Sequence, residues 1–126
     1  MPRILLVDDD ASLRHVFEQL LRSKGYHIIS AENGKVAIEA AKREPVDLVI
    51  TDMLMPDMDG LELIIALHML PDPPRIIAMS GGIGKVNSTY LLNIARIMKA
   101  DKIVHKPFDI ATIETAISEV LGLGPH

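Results

Sequence analysis

The sequence VDLVITDMLMPDMDG, residues 46–60, contains the segment from which the rest of the fold can be worked out. Its first six residues, 46–51, form a mostly apolar run that ends at Asp52. A short apolar run followed by a breaker-rich loop predicts a strand buried on both faces of a parallel sheet. An aspartate at the end of such a strand is costly unless a charged or hydrogen-bonding group meets it. Asp52 is therefore the first candidate for a functional residue.

On either side of this stretch, strand-like and helix-like segments alternate. Strands are predicted over residues 3–7, 26–30, 46–51, 75–79 and 102–105. Apolar residues at helical spacing predict helices over residues 11–24, 33–43, 59–70 and 86–99, with a fifth helix after Asp109. Asp10 suits an N-cap or a first-turn acid, and Gly25 ends the first helix. Five strand–helix alternations predict a parallel sheet with helices on both faces, in one domain over residues 1–126 with a frayed tail over 121–126.

Composition narrows the function classes. With 126 residues and 48% hydrophobic residues, the chain is long and apolar enough for one folded domain. No apolar run reaches the roughly 18 residues of a membrane span, and acidic residues come too early for a secretory signal, so we expect a cytoplasmic protein with no membrane partner. The absence of cysteine excludes disulfides and thiolate metal sites. A net charge of −4 without a basic stripe argues against direct nucleic-acid binding.

Polar residues follow four of the predicted strands. Asp8 and Asp9 follow the first strand, Asp52 the third, Ser80 the fourth and Lys106 the fifth. In doubly wound sheets, ligands bind at this carboxyl edge. Three neighbouring carboxylates repel one another, and a hard cation such as Mg²⁺ removes that penalty. A lysine and a hydroxyl suit a phosphoryl group, and Asp52 would then be the nucleophile of an aspartyl phosphate.

Taken singly, each of these residues has a purely structural alternative. The role of Asp8 could be no more than to cap the first helix, and Asp52 could be an acid in a surface loop. Ser80 could be a turn residue, and Lys106 a solvated charge. Their convergence at one predicted edge favours a site.

In these motifs the sequence resembles the receiver domain of two-component response regulators, over essentially the whole chain. The matches are Asp8-Asp9, Asp52, Met55-Pro56 with Asp59-Gly60, Ser80-Gly81 and Lys106-Pro107-Phe108. The resemblance implies a doubly wound, five-stranded α/β fold with five helices and the flavodoxin-like strand order 2-1-3-4-5. It also implies a stand-alone regulator that catalyses only its own phosphorylation and dephosphorylation.

The resemblance further assigns roles to residues. Asp52 would accept a phosphoryl group from a phosphohistidine on a histidine kinase or phosphotransfer protein. Asp9 and Asp52 would bind Mg²⁺ directly, Asp8 would hold a metal-bound water, and the carbonyl of Leu54 would complete the set. Ser80 and Lys106 would contact the phosphoryl group. An unknown downstream protein would bind the face formed by the helix over 86–99, the fifth strand and the last helix. The protein itself would be a monomer or a weak dimer.

Two features depart from the family pattern. Ile103 stands where the family carries Tyr or Phe, three residues before Lys106, and the glycine-rich loop 81–88 is extended. We therefore predict that signalling reshapes loop 81–88 and the helix after it. Leu54 and Gly82 offer no side chain to position an attacking water, which predicts slow dephosphorylation.

Two rival functions are also compatible with the sequence. A phosphorylation-independent interaction module would keep only the fold, and Ile103 is in its favour. A Mg²⁺-dependent phosphohydrolase would use an acid after the first strand with a second acid two residues on, a spacing that Asp8 and Asp10 allow. Within 126 residues, however, there is no room for a cap or a substrate pocket.

Overall fold

The computed structural model describes residues 2–53, 60–80, 100–105 and 109–122. Along the chain its elements are β1 (Arg3–Val7), α1 (Ala11–Ser23), β2 (His27–Ala31), α2 (Gly34–Arg43), β3 (Leu48–Asp52), α3 (Gly60–His68), β4 (Arg75–Ser80), β5 (Lys102–His105) and α4 (Ile110–Leu121). The helix predicted over 86–99 lies outside the described residues, so the count of five helices stays a prediction.

The strands form one parallel sheet in the order β2-β1-β3-β4-β5. This confirms the predicted α/β fold and strand order. β3 lies in the middle of the sheet, and every one of its residues is buried. Because neighbouring strands run in the same direction, their carboxyl ends meet along one edge.

The core consists of two aliphatic layers, one on each face of the sheet. On one face, alternate strand residues such as Leu5 and Val49 pack against Ala37 of α2 and Leu63 of α3. On the other face, residues such as Leu6 and Ile50 pack against α1 and α4. Burial of these apolar side chains is the main stabilising contribution to the fold. The layers hold β1 and β3 in place and thereby position whatever follows them.

Local capping fixes where the helices begin and end. The side chain of Asp10 accepts a hydrogen bond from the backbone N–H of Leu13 (3.1 Å), which confirms it as the N-cap of α1. Asp109 caps α4 in the same way through the N–H of Thr112 (2.8 Å). Gly25, with φ of 95°, ends the first helical segment in a conformation that favours glycine. α4 itself extends through Leu121, and residues 123–126 of the predicted frayed tail lie outside the described residues.

Most element bounds differ from the predicted ones by one or two residues, and two differences bear on the site. β3 runs from Leu48 to Asp52 rather than over 46–51, because Asp52 still pairs with Met79 of β4. α1 also buries fewer of its regularly spaced apolar side chains than expected. Leu21 is fully buried, whereas Val16 and Leu20 are 52% and 38% exposed and belong to neither core layer.

Candidate functional site

The carboxyl edge of the sheet brings three predicted site residues together. β1 and β3 are neighbours in parallel register, with Val7 opposite Thr51, so Asp8 and Asp52 leave the sheet side by side. One carboxylate oxygen from each of Asp8, Asp9 and Asp52 lies within 4.8 Å of the other two. The cluster joins residues more than forty positions apart in the chain, and the parallel pairing of β1 with β3 brings them together.

Burial differs within this cluster. Asp8 is 2% exposed and Asp52 is 8% exposed, whereas Asp9 is exposed. Two acids therefore lie where water screens charge poorly, and the third faces the solvent. The arrangement leaves the cluster open on the side of Asp9.

The turn after β1 is held by several hydrogen bonds to Asp8. Its backbone N–H donates to the carbonyl of Ala31 at 3.2 Å, which extends the contact with β2. Its Oδ1 accepts from the backbone N–H of Asp10 at 2.9 Å. Its carbonyl accepts from Nη1 of Arg14 in α1 at 2.6 Å. The turn that carries Asp9 is thus tied to the sheet, to itself and to the following helix.

The backbone around Asp52 is equally well held. The Oγ1 of Thr51 donates to the Asp52 carbonyl at 2.9 Å. The N–H of Met53 donates to the carbonyl of Met79 in β4 at 3.0 Å, and the Met53 side chain is 1% exposed. Asp52 is therefore presented by a rigid strand end rather than by a mobile loop.

The donor set fits a hard divalent cation. All three groups are carboxylates, and oxygen ligands are what Mg²⁺ prefers. With Mg–O distances of about 2.0–2.1 Å, ligand oxygens on one ion lie roughly 3–4 Å apart. Separations within 4.8 Å need only small side-chain rotations to reach that spacing. A cation would also offset the mutual repulsion of the three acids.

The other predicted site residues are only partly placed. Ser80 is the last residue of β4, at the same sheet edge, where its backbone pairs with His105. Lys106 and Leu54 lie outside the described residues, as does loop 81–88. Their predicted roles, and those of Ser80, stay predictions. Ile103 is partly buried and packs against the core layer below α2 and α3.

Sequence reasoning missed Arg14. Its guanidinium reaches back six residues to the carbonyl of Asp8 and is part-buried there. The available signal was an arginine in the first turns of a helix that begins directly after an acidic loop. That pattern is common on exposed helices, so the contact became visible only in three dimensions.

Across the residues that the structure describes, none of the helices combines the length and the apolar character needed to cross a membrane.

Known proteins resemble this chain in both sequence and fold. The response regulator receiver domain family matches residues 4–118. The chain is 34% identical to the response regulator receiver protein CpdR of Brucella abortus, over 96% of this chain and 98% of that protein. It is 31% identical to sporulation initiation phosphotransferase F of Bacillus subtilis, over 96% and 94% of the two chains. It spans about half of the transcriptional regulator ycf27 of Porphyridium aerugineum, covering 48% of that protein at 35% identity.

Solved structures agree. The response regulator TrrA of Thermotoga maritima, determined in complex with Mg²⁺–BeF, is 30% identical with a TM-score of 0.82, covering 96% of this chain and all of that one. A CheY-like receiver domain from Methanospirillum hungatei is 27% identical with a TM-score of 0.86, covering 97% and 94% of the two chains. Sequence, fold and acidic cluster lead to the same conclusion: the chain belongs to the family of response regulator receiver domains.

Proposed function

We propose that this protein is a phosphorylatable signalling switch in which Asp52 accepts a phosphoryl group from a phosphohistidine. The observation that carries the proposal is the convergence of Asp8, Asp9 and Asp52 at the carboxyl edge of the sheet. Asp52 lies at the end of the central strand β3, and membership of the receiver family supports the choice of Asp52 as the acceptor among the three. The donor would be a histidine kinase or a histidine phosphotransfer protein.

The chemistry is a single phosphoryl transfer. A carboxylate oxygen of Asp52 attacks the phosphorus, and the bond between phosphorus and the imidazole nitrogen breaks. The nitrogen keeps the electron pair of that bond and takes up a proton, while Asp52 becomes an acyl phosphate. A Mg²⁺ ion, held by Asp9 and Asp52 with Asp8 and the Leu54 carbonyl in support, would neutralise charge on the phosphoryl oxygens. Lys106 and Ser80 would bind the same oxygens from the β4 and β5 side of the edge.

The donor must bring its imidazole to the carboxyl edge, and α1 begins at that edge. Val16 and Leu20 expose 52% and 38% of their surface on this helix. Exposed aliphatic side chains one turn apart, on a helix that begins at the site, are favourable contacts for a protein partner. We infer that the phosphohistidine donor contacts α1 through these two residues. The relative named a phosphotransferase, in Bacillus subtilis, supports a phosphoryl-transfer role of this kind.

Output is proposed to run through the face that includes β5, α4 and the predicted helix over 86–99. Because Ile103 on β5 has no aromatic ring that could move on phosphorylation, we assign the conformational change to loop 81–88 and the helix after it. Backbone amide shifts measured with and without a phosphoryl mimic test this part. Unchanged shifts over 81–88 would reject it.

The cytoplasmic location also stays a prediction.

The acceptor is tested by incubating the protein with Mg²⁺ and a small acyl phosphate, followed by intact-mass measurement. The wild type should gain one phosphoryl group, and Asp52→Asn should gain none. Asp47→Asn is the matched control, because Asp47 lies one residue before the same strand, at its other end, and should be phosphorylated normally. Removal of Mg²⁺ with a chelator should prevent the gain.

Two results would contradict the proposal. If Asp52→Asn gained mass like the wild type, the acceptor would be another residue. If the wild type gained nothing with Mg²⁺ present, the fold would act as an interaction module that does not use phosphorylation.

A further inference from the structure

Arg14 makes an unusual contact for a surface-helix arginine. Its backbone N–H donates to the carbonyl of Asp10 at 2.9 Å, within the first turn of α1. Its side chain then turns back along the helix, and Nη1 donates to the carbonyl of Asp8 at 2.6 Å. An arginine donor makes this a charge-assisted hydrogen bond, shorter and stronger than a neutral one.

This bond acts on the peptide plane that carries Asp9. The Asp8 carbonyl and the Asp9 N–H belong to the same rigid peptide unit. The following unit contains the Asp10 N–H, which Asp8 Oδ1 holds at 2.9 Å. Asp9 is therefore bracketed by two peptide planes, each fixed by one hydrogen bond, and Arg14 supplies one of the two.

Asp9 depends on this bracket more than its neighbours do. Among the described residues, no hydrogen bond or ion pair is formed by the Asp9 carboxylate, which is exposed. Its approach to Asp8 and Asp52 is consequently set by the backbone of the turn rather than by contacts of its own side chain. A metal ligand placed in this way loses its geometry when the turn loosens.

We propose that Arg14 is a positioning residue for the metal site, holding the Asp8–Asp9 peptide so that the Asp9 carboxylate meets Asp8 and Asp52. The inference rests on the Mg²⁺ site proposed above. A positioning role and simple electrostatics predict opposite changes in Mg²⁺ affinity when Arg14 is replaced. A cation beside a divalent-metal site repels the metal, so removing the charge alone would strengthen binding. Removing a positioning bond weakens it.

The test is Mg²⁺ affinity, measured by calorimetry on the full chain. Arg14→Met keeps an unbranched apolar stem but removes the donors and the charge of the side chain, and should weaken Mg²⁺ binding about tenfold. Arg14→Lys keeps the charge and one flexible donor, and should recover part of the affinity. At saturating Mg²⁺, phosphorylation of Arg14→Met by a small acyl phosphate should return close to the wild-type rate. The amide resonance of Asp9 should shift in Arg14→Met even without metal.

Arg22→Met is the matched control. Arg22 lies on the same helix, and its Nη2 donates to the carbonyl of Ile28, also six residues away, at 3.0 Å. Its loss should lower the unfolding temperature while Mg²⁺ affinity stays at the wild-type value. Such a result separates positioning at the site from general support of α1.

A folded Arg14→Met that binds Mg²⁺ as tightly as the wild type, or more tightly, would overturn the inference. Should Arg14→Met not fold, Arg14→Ala takes its place, and an Mg²⁺ affinity in Arg14→Ala at or above the wild-type value would overturn the inference as well. The proposed function fails in a different way, namely if wild type and Asp9→Asn both show no Mg²⁺ binding.

Discussion

Aspartates lie at both edges of the same sheet, and only those at the carboxyl edge form a cluster with one another. At the amino edge, Asp47 Oδ2 accepts from the backbone N–H of Arg3 at 2.7 Å, where β1 begins. Asp101 Oδ2 accepts from the N–H of Ile76 at 2.7 Å, and its Oδ1 lies 3.4 Å from the guanidinium of Arg75. Each acid there joins the start of one strand to the segment before another.

At the carboxyl edge, Asp8, Asp9 and Asp52 converge on one another instead. The arginine nearby, Arg14, bonds a carbonyl in this arrangement. Like charges held together by a rigid fold do not stabilise it, whereas acids paired with N–H groups do. The role of an aspartate in this sheet therefore depends on which end of a strand it occupies. The amino-edge acids contribute to stability, and the carboxyl-edge acids form a cluster whose oxygens fit a hard cation.

The largest expected effect concerns Mg²⁺ and the carboxyl edge. At a concentration one hundred times its dissociation constant, Mg²⁺ should raise the free energy of unfolding of the wild type by about 2.7 kcal/mol, because only the folded state assembles the site. Asp9→Asn should lose most of that gain, while Asp47→Asn keeps it. Denaturant unfolding with and without Mg²⁺ measures the difference. Equal gains in wild type and Asp9→Asn would contradict the division between the edges.

At the amino edge, Asp101→Ala should lower the free energy of unfolding by about 2 kcal/mol, because it leaves the N–H of the fully buried Ile76 without its acceptor. Phosphorylation by a small acyl phosphate should be retained in the folded protein. Denaturant unfolding and intact-mass measurement give the two readouts. A stable variant that cannot be phosphorylated would place Asp101 in the functional machinery and break the comparison.

Asp47→Ala should have a smaller effect, about 1 kcal/mol, since the bond between Asp47 and the N–H of Arg3 is exposed and water can replace it. The same unfolding experiment measures it. A loss larger than that of Asp101→Ala would show that exposure does not rank the two acids.

The smallest effect on stability is expected at Asp109, which lies at neither edge of the sheet but caps the helix α4. The N–H and then the hydroxyl of Thr112 hydrogen-bond to its carboxylate and lower its pKa. A lowered pKa means that the native state favours the charged form. The stabilisation is therefore present above the ordinary pKa of aspartate and is lost as the pH falls through the lowered one.

Asp109→Asn should accordingly be slightly less stable than the wild type near neutral pH, and the difference should shrink in acid. Unfolding midpoints at a series of pH values test this. A difference that grew in acid would contradict the assigned sign.

Local sequence accounts for some of these features and not for others. Asp10 directly precedes the helical pattern, where an aspartate can accept from the free N–H groups of the first turn, so the sequence predicts its role as the cap of α1. The apolar run predicts that Asp52 follows the third strand, but Asp52 belongs to β3 itself, since pairing with Met79 outweighs its low strand propensity. The exposure of Val16 and Leu20 is not predictable in this way. Helical spacing shows which apolar side chains share a face of the helix, but not how much of that face the sheet covers.

The alternation of strands and helices, the acids at strand ends and the family resemblance all follow from the sequence alone, because they depend on local spacing and on motifs a few residues long. The sequence also predicts that Asp8, Asp9 and Asp52 share one edge, but how closely their carboxylates approach is a property of the tertiary structure. Parallel pairing of β1 with β3 places Asp8 beside Asp52, while the opposite edge pairs Asp47 and Asp101 with backbone amides. The packing of α1 likewise turns Arg14 back to the carbonyl of Asp8. Such contacts depend on chain packing over long sequence distances, which local spacing does not encode.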